Sequence, residues 1–128
     1  MQTLKVDLNN KSANFVPVHA EHLWLGGRAL VAKILLNTYS PQIDPLGSES
    51  PLIVVPGLLS GIRFSSLDRI SIGGRSPLTG GIKESNAGGN TGSVVANLGL
   101  KSIVLTGRSY PNWCIVRIDG GSVYFDDA

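Results

Sequence analysis

The residues best suited to hold a charged group lie in one glycine-rich segment, Asn86-Ala87-Gly88-Gly89-Asn90-Thr91-Gly92. The spacing of Val94, Val95 and Leu98 predicts a helix directly after it, ended by Gly99. The first main-chain N–H groups of a helix have no partners within the helix, and they favour a negatively charged ligand. The segment therefore has two interpretations, an ordinary tight loop before a helix, which glycine-rich segments commonly form, and a phosphate-binding loop.

Two arginines, Arg69 and Arg75, flank this region in sequence. A guanidinium group matches two oxygens of a phosphate with two donors in a fixed geometry. For either arginine alone, a solvated surface position is the alternative. Asn86 is also expected to accept a main-chain hydrogen bond and to cap the turn before the helix.

A second glycine pair, Gly26-Gly27, stands before Arg28 at the start of another predicted helix. A cation at this end of a helix opposes the helix dipole, which suggests phosphate or carboxylate binding. Close packing at the junction is the alternative. His19 and His22 could share a helix face, but no third ligand lies near them in sequence, so no metal site is predicted.

Cysteine usage and charge exclude several classes of protein. The only cysteine, Cys114, stands in an apolar stretch and is predicted to be a buried packing residue, and one cysteine excludes an internal disulfide. The net charge of +2 comes without a basic run, so no nucleic-acid partner is expected. No apolar stretch approaches the roughly 18 residues that span a membrane, and no signal peptide is apparent, so we expect a cytoplasmic protein.

Apolar periodicity predicts six or seven short strands and two helices in a single domain over residues 1–128. The predicted fold class is α+β, with a mostly antiparallel β-sheet and a few short helices. Gly73-Gly74 is predicted to end a strand, and residues 85–89 are predicted to form a loop. The predicted strands cover residues 3–8, 14–18, 52–55, 69–73, 102–106, 113–118 and 122–125, and the longer helix covers 28–37.

Five segments, in the same order along the chain, resemble the aldehyde ferredoxin oxidoreductase family. Each segment alone is weakly specific, but together they cover nearly the whole chain. They are Leu4-Lys5-Val6-Asp7-Leu8, Trp24-Leu25-Gly26-Gly27-Arg28-Ala29-Leu30, Asp44-Pro45-Leu46-Gly47 through Pro51-Leu52-Ile53, Arg75-Ser76-Pro77-Leu78-Thr79-Gly80-Gly81 running into Ser85-Asn86-Ala87-Gly88-Gly89, and Leu105-Thr106-Gly107-Arg108.

The resemblance implies a fold and a cofactor. The first domain of the family is a base of two β-sheets related by a pseudo-twofold axis. A tungsten (or molybdenum) bis-pterin cofactor lies between this base and later helical domains. The pterin phosphates share a magnesium ion that is bound partly by main-chain carbonyls of the base. The resemblance therefore implies that Asn86, Ala87, Gly88 and Gly89 bind the cofactor, that the Asn86 carbonyl binds magnesium, and that Arg69 contacts the phosphates.

The chain departs from the family pattern at three points. Gly57-Leu58-Leu59-Ser60-Gly61 replaces the usual Pro-Leu-Thr-Gly, Asn90-Thr91 stands where an aromatic residue is usual, and Leu100-Lys101 replaces an aromatic and acidic pair. The second half of the base, the cysteines of the 4Fe-4S cluster and the catalytic carboxylate and histidine are expected in other polypeptide. No catalytic residue is therefore assigned to this chain, and whether it binds the cofactor by itself is left open.

Two hypotheses for the function follow. In the first, the chain is a fragment or subunit of an oxidoreductase that converts aldehydes to carboxylates with ferredoxin as electron acceptor, and other domains or subunits complete it. In the second, it is an inactive structural or interaction module that self-associates as a homodimer about a twofold axis. The intact segment at residues 86–89 favours the first hypothesis, and the altered residues at 58–61 and 90–91 favour the second.

Overall fold

A six-stranded mixed sheet forms the centre of the molecule, and the computed structural model describes all residues from 1 to 128. The sheet order is β2-β1-β6-β3-β4-β5, with every neighbouring pair antiparallel except β1 and β6, and β7 pairs with β8 as a separate hairpin. This confirms the predicted α+β class. The elements are β1 (Gln2–Asp7), β2 (Ser12–Pro17), a 3-10 turn (Ala20–His22), α1 (Gly27–Thr38), β3 (Leu52–Pro56), β4 (Arg69–Arg75), β5 (Ile82–Gly88), α2 (Thr91–Asn97), β6 (Leu100–Thr106), β7 (Cys114–Asp119) and β8 (Ser122–Asp127).

Helix α1 covers one face of the sheet. Its apolar residues recur on one side at helical spacing, and four of them are buried. They pack on alternate residues of β3 and on β6, because side chains of a strand point to opposite faces in turn. Each fully buried aliphatic side chain contributes about 1.5–3 kcal/mol. The cluster consists of Leu30, Val31, Ile34, Leu35, Ile53, Val55 and Val104.

Helix α2 and the β7–β8 hairpin cover the other face. Their inward side chains pack against Leu4, Val6, Ile70, Leu100 and Ile103. The three residues whose spacing predicted this helix do not all face the core, since the side chain of Val94 is 56% exposed. Residues three apart lie on the same side of a helix, and the buried pair here is Gly92 and Val95.

Strand β4 extends beyond its predicted bounds, and β5 was not predicted as a strand. Strand β4 continues through Gly73-Gly74, where a Cβ on Gly73 would lie 2.5 Å from Cγ1 of Val31 on α1. These glycines therefore allow close approach rather than end the strand. The loop prediction for residues 85–89 is also wrong, because 85–88 belong to β5. This edge strand is mostly exposed on both faces and so lacks the apolar alternation that reveals a strand, which explains why eight strands form rather than six or seven.

The hairpin places Cys114 at its open end. The thiol is only partly buried and the preceding Trp113 is 81% exposed, so the prediction of a buried packing cysteine is wrong. Val116 and Ile118, further along β7, make the contact with the core instead. Neither α-helix has the length and apolar composition that a membrane-spanning helix requires.

Candidate functional site

Strand β5 is the last strand of the sheet beyond β4, so one side of its main chain faces no other strand. Ser71 lies opposite Asn86, and Arg69 lies opposite Gly88. The Gly57 N–H donates to the Arg69 carbonyl at 2.8 Å, which directs the main-chain groups of Arg69 toward β3 rather than β5.

Main-chain groups of successive residues in a strand point to opposite sides, and antiparallel pairs alternate between hydrogen-bonded and non-hydrogen-bonded. Because Arg69 bonds toward β3, the pairs Arg69/Gly88 and Ser71/Asn86 belong to the non-hydrogen-bonded class. The Ser76 N–H donates to the Gly81 carbonyl at 2.8 Å, which fixes the same alternation from the other end of the ladder. The carbonyls of Asn86 and Gly88 therefore point away from β4, toward the open edge of the sheet.

The guanidinium group of Arg69 lies over Gly88. A Cβ on Gly88 would lie 3.5 Å from Nη1 of Arg69, an ordinary contact distance. The only hydrogen bonds of Arg69 involve its main chain, so its guanidinium donors remain available for a ligand. Beside it, Gly89 has a φ of +120° and no atom within 4 Å of the position a Cβ would take, so this glycine borders open space. One cation, two free carbonyls and an open surface thus meet at this end of β5.

The side chain of Asn86 bonds to the sheet rather than to the helix. Its Nδ2 donates to Oγ of Ser71 at 3.1 Å, and Ser71 is fully buried. The prediction that the Asn86 side chain accepts a main-chain hydrogen bond and caps the turn before α2 is therefore wrong. Asn90 occupies that position, and its side chain makes no capping hydrogen bond. The closeness of the two side chains agrees with a non-hydrogen-bonded pair, in which opposing residues approach most closely.

The second glycine pair has a packing role. A Cβ on Gly26 would lie 2.7 Å from Cα of Leu58, so the loop after β3 already fills the space beside it. Gly27 adopts a φ of +52°, and a Cβ there would lie 3.3 Å from Oγ of Ser71. Arg28 is exposed and has no hydrogen-bond partner. The close-packing alternative therefore explains this junction.

Arg75 and the histidines lie apart from this end of β5. Arg75 stands six residues after Arg69 on the same strand, a separation of about 20 Å, and its guanidinium donates to the Pro41 carbonyl. His19 and His22 belong to the turn before α1, where their ring centroids are 5.6 Å apart. Burial lowers the pKa of His22. No group of three metal-ligating side chains forms anywhere in the chain.

Ser60, Ser71 and Asp68 were not predicted as site residues, and the structure places all three beside the site. Ser60 contacts the main chain of Arg69, and Ser71 contacts Asn86. Oδ1 of Asp68 is buried without a hydrogen-bond partner, close to the position a Cβ on Gly92 would take. Serine in a strand and an acidic residue in a loop carry no distinctive sequence signal. Only the altered segment 57–61 indicated that this region differs from its family.

Comparison with known proteins identifies the family. The family model described as aldehyde ferredoxin oxidoreductase, N-terminal domain, matches residues 3–128. The chain belongs to this family. The tungsten-containing aldehyde ferredoxin oxidoreductase of Thermococcus kodakarensis is 40% identical over 86 residues, which cover 67% of this chain and 14% of that protein. The tungsten-containing aldehyde ferredoxin oxidoreductase of Pyrococcus furiosus is 37% identical over 86 residues, which again cover 67% of this chain and 14% of that protein.

A solved structure shares the fold of this family member. It is the active site complex BamBC of benzoyl coenzyme A reductase in complex with 1,5-dienoyl-CoA, with a TM-score of 0.90 and 30% identity over 98% of this chain and 19% of the matched chain. The matched part of this chain spans only 14% of the length of each of the two curated relatives.

Proposed function

We propose that this chain is the pterin phosphate and magnesium-binding domain of a tungsten (or molybdenum) aldehyde ferredoxin oxidoreductase. Its 128 residues form one domain of a cytoplasmic enzyme that oxidises aldehydes to carboxylates and transfers the electrons to ferredoxin. Remaining domains or subunits supply the 4Fe-4S ligands and the catalytic side chains. The two oxidoreductase relatives, at 40% and 37% identity, support an aldehyde as the substrate.

The observation that carries this proposal is the free edge of β5 beside Arg69. Magnesium prefers oxygen ligands, and the outward carbonyl of Asn86 is such a ligand. The guanidinium of Arg69 would contact phosphate oxygens with two parallel donors. Ala87, Gly88 and Gly89 keep side-chain bulk small where the cofactor would lie. The residues present therefore fit the phosphate end of a bis-pterin cofactor.

The role of these residues is to bind and orient. Arg69 neutralises phosphate charge, and the hydrogen bond from Asn86 to Ser71 holds the strand so that the Asn86 carbonyl keeps its outward direction. When bound, the tungsten and its pterin dithiolenes supply the redox chemistry. No residue of this chain is proposed to transfer a proton or to contact the aldehyde.

Arg69→Ala tests the proposal, with Arg28→Ala as the matched control at the other glycine pair. Both arginines are exposed, so neither change should lower stability by more than about 0.5 kcal/mol. Tagged chain would be recovered with its partners from its own host, and tungsten per polypeptide would be measured by mass spectrometry. We expect Arg69→Ala to lower the tungsten content about tenfold, the equivalent of about 1.4 kcal/mol, and Arg28→Ala to leave it unchanged.

Two outcomes would contradict the proposal. Unchanged tungsten in the Arg69→Ala protein would remove Arg69 from the phosphate site. Recovery of a small homo-oligomer without tungsten, from the unmodified chain in its own host, would support the self-associating module instead.

A further inference from the structure

The pairing of β3 with β4 ends in an incomplete hydrogen-bond ring at Gly57 and Arg69. The Gly57 N–H donates to the Arg69 carbonyl at 2.8 Å. In a regular antiparallel pair the Arg69 N–H would donate back to the Gly57 carbonyl. Here the chain turns away after Gly57, and the hydroxyl of Ser60 accepts from the Arg69 N–H at 3.3 Å instead.

The same Ser60 hydroxyl donates to the Arg69 carbonyl at 2.9 Å, so one side chain contacts both main-chain polar groups of Arg69. The turn that brings it there is closed by the Ser60 N–H, which donates to the Gly57 carbonyl at 3.0 Å. A Cβ on Gly57 would lie 3.1 Å from Oγ of Ser60, so a side chain at position 57 would crowd this hydroxyl.

Strand β5 gives the Arg69 main chain no hydrogen bond, because Arg69 and Gly88 form a non-hydrogen-bonded pair. The main chain of Arg69 therefore hydrogen-bonds only to Gly57 and Ser60, and Ser60 provides two of the three hydrogen bonds. The backbone direction at Arg69 determines where its Cβ points, and hence whether its guanidinium reaches the space over Gly88.

We propose that Ser60 is a positioning residue for the phosphate-binding Arg69. The inference rests on the proposed function, and it assigns a role to the segment in which the chain departs from its family. A serine or threonine hydroxyl at position 60 is required to hold Arg69, whereas the neighbouring Leu58 and Leu59 are not. Ser60 itself contacts neither phosphate nor magnesium.

Amide hydrogen exchange at Arg69 tests the structural half of the inference. Ser60→Ala removes the acceptor of the Arg69 N–H, and Ser60→Thr keeps it. Ser65→Ala is the matched control, because the Ser65 hydroxyl contacts only that of Ser66, at 3.4 Å. We expect exchange at Arg69 to be about tenfold faster in Ser60→Ala than in the other two variants and the unmodified chain, the equivalent of about 1.4 kcal/mol.

Tungsten per polypeptide in the same four proteins, recovered with their partners, tests the functional half. We expect a loss of about fivefold in Ser60→Ala, with full content in Ser60→Thr and Ser65→Ala. Rescue by threonine separates a hydroxyl-dependent role from a general loss of folding, which thermal melts of each variant would monitor.

The outcomes separate this inference from the proposed function. An unchanged rate of amide exchange at Arg69, or full tungsten content, in Ser60→Ala would overturn the positioning role. Loss of tungsten in Arg69→Ala would then leave the proposed function standing. Full tungsten in Arg69→Ala would overturn the proposed function itself.

Discussion

Two glycine pairs, Gly26-Gly27 and Gly88-Gly89, both stand before a helix with an arginine at hand, yet the structure gives them different surroundings. Beside Gly26, the main chain of Leu58 occupies the space that a side chain would need. Beside Gly89, the corresponding space is empty, and Arg69 rather than Arg28 lies close to the glycines. The first pair lets two parts of the chain touch, and the second leaves room for something that is not part of the chain.

A glycine pair before a helix is therefore not by itself evidence for a ligand. Glycine is required wherever backbone must approach closely, whether the neighbour is backbone or cofactor. What distinguishes the second pair is its place at the end of an edge strand, where carbonyls remain without partners and the Arg69 guanidinium lies over Gly88. Neither property can be read from the glycines themselves.

The largest expected effect that separates the two pairs is on stability. Gly26→Ala would place a Cβ 2.7 Å from Cα of Leu58, so the loop after β3 must move, and we expect a loss of about 2–3 kcal/mol. Gly88→Ala would make only an ordinary contact with Arg69, at 3.5 Å, and should cost less than about 1 kcal/mol. Urea unfolding of both variants checks this. Equal losses would break the distinction between a filled and an open junction.

A smaller, pH-dependent effect is expected at the first pair only. Lys101 is 5% exposed, its ammonium donates to the Leu23 carbonyl at 3.0 Å, and burial lowers its pKa below the ordinary 10.5. Between the folded pKa and 10.5 the unfolded chain binds more protons at this site, so stability from Lys101 rises with pH in that window. Lys101→Met should therefore remove an alkaline rise in the free energy of unfolding.

The control for this prediction is Tyr39, whose pKa burial raises above 10.0. A buried acid of this kind contributes the opposite trend, with stability falling as pH rises above 10.0. Tyr39→Phe should remove that fall and leave the Lys101 contribution in place. Urea midpoints between about pH 7 and 11.5 measure both, and an identical pH dependence in Lys101→Met and the unmodified chain would contradict the assignment.

The sequence predicted the elements whose side chains face the core. The apolar positions of α1 recur at helical spacing and those of β1 alternate, so burial on one side leaves a clear pattern. Strand β5 escaped prediction because it is exposed on both faces and consists mostly of polar and small residues. Its extended form comes from pairing with β4, in which all seven residues of β5 lie opposite residues of β4. Only a turn separates the two strands in sequence. Local propensity says little where tertiary pairing decides.

Only part of the candidate site was predicted, because the rest depends on strand pairing. Arg69 and residues 86–89 were singled out, and the structure brings Arg69 and Gly88 together across the β4–β5 pair. The supporting hydroxyls of Ser60 and Ser71 were not foreseen, because their roles depend on which strands pair and in which register. The magnesium role of Asn86 came from the family resemblance and stays a prediction.

The most direct test of the central claim is a crystal structure of the complete cofactor-bound enzyme that contains this chain. We expect a magnesium ion about 2.0–2.1 Å from the Asn86 carbonyl oxygen, with the Arg69 guanidinium on a phosphate of the pterin. A phosphate bound instead at Gly26-Gly27 and Arg28, or an Asn86 carbonyl bonded to an added strand, would contradict it.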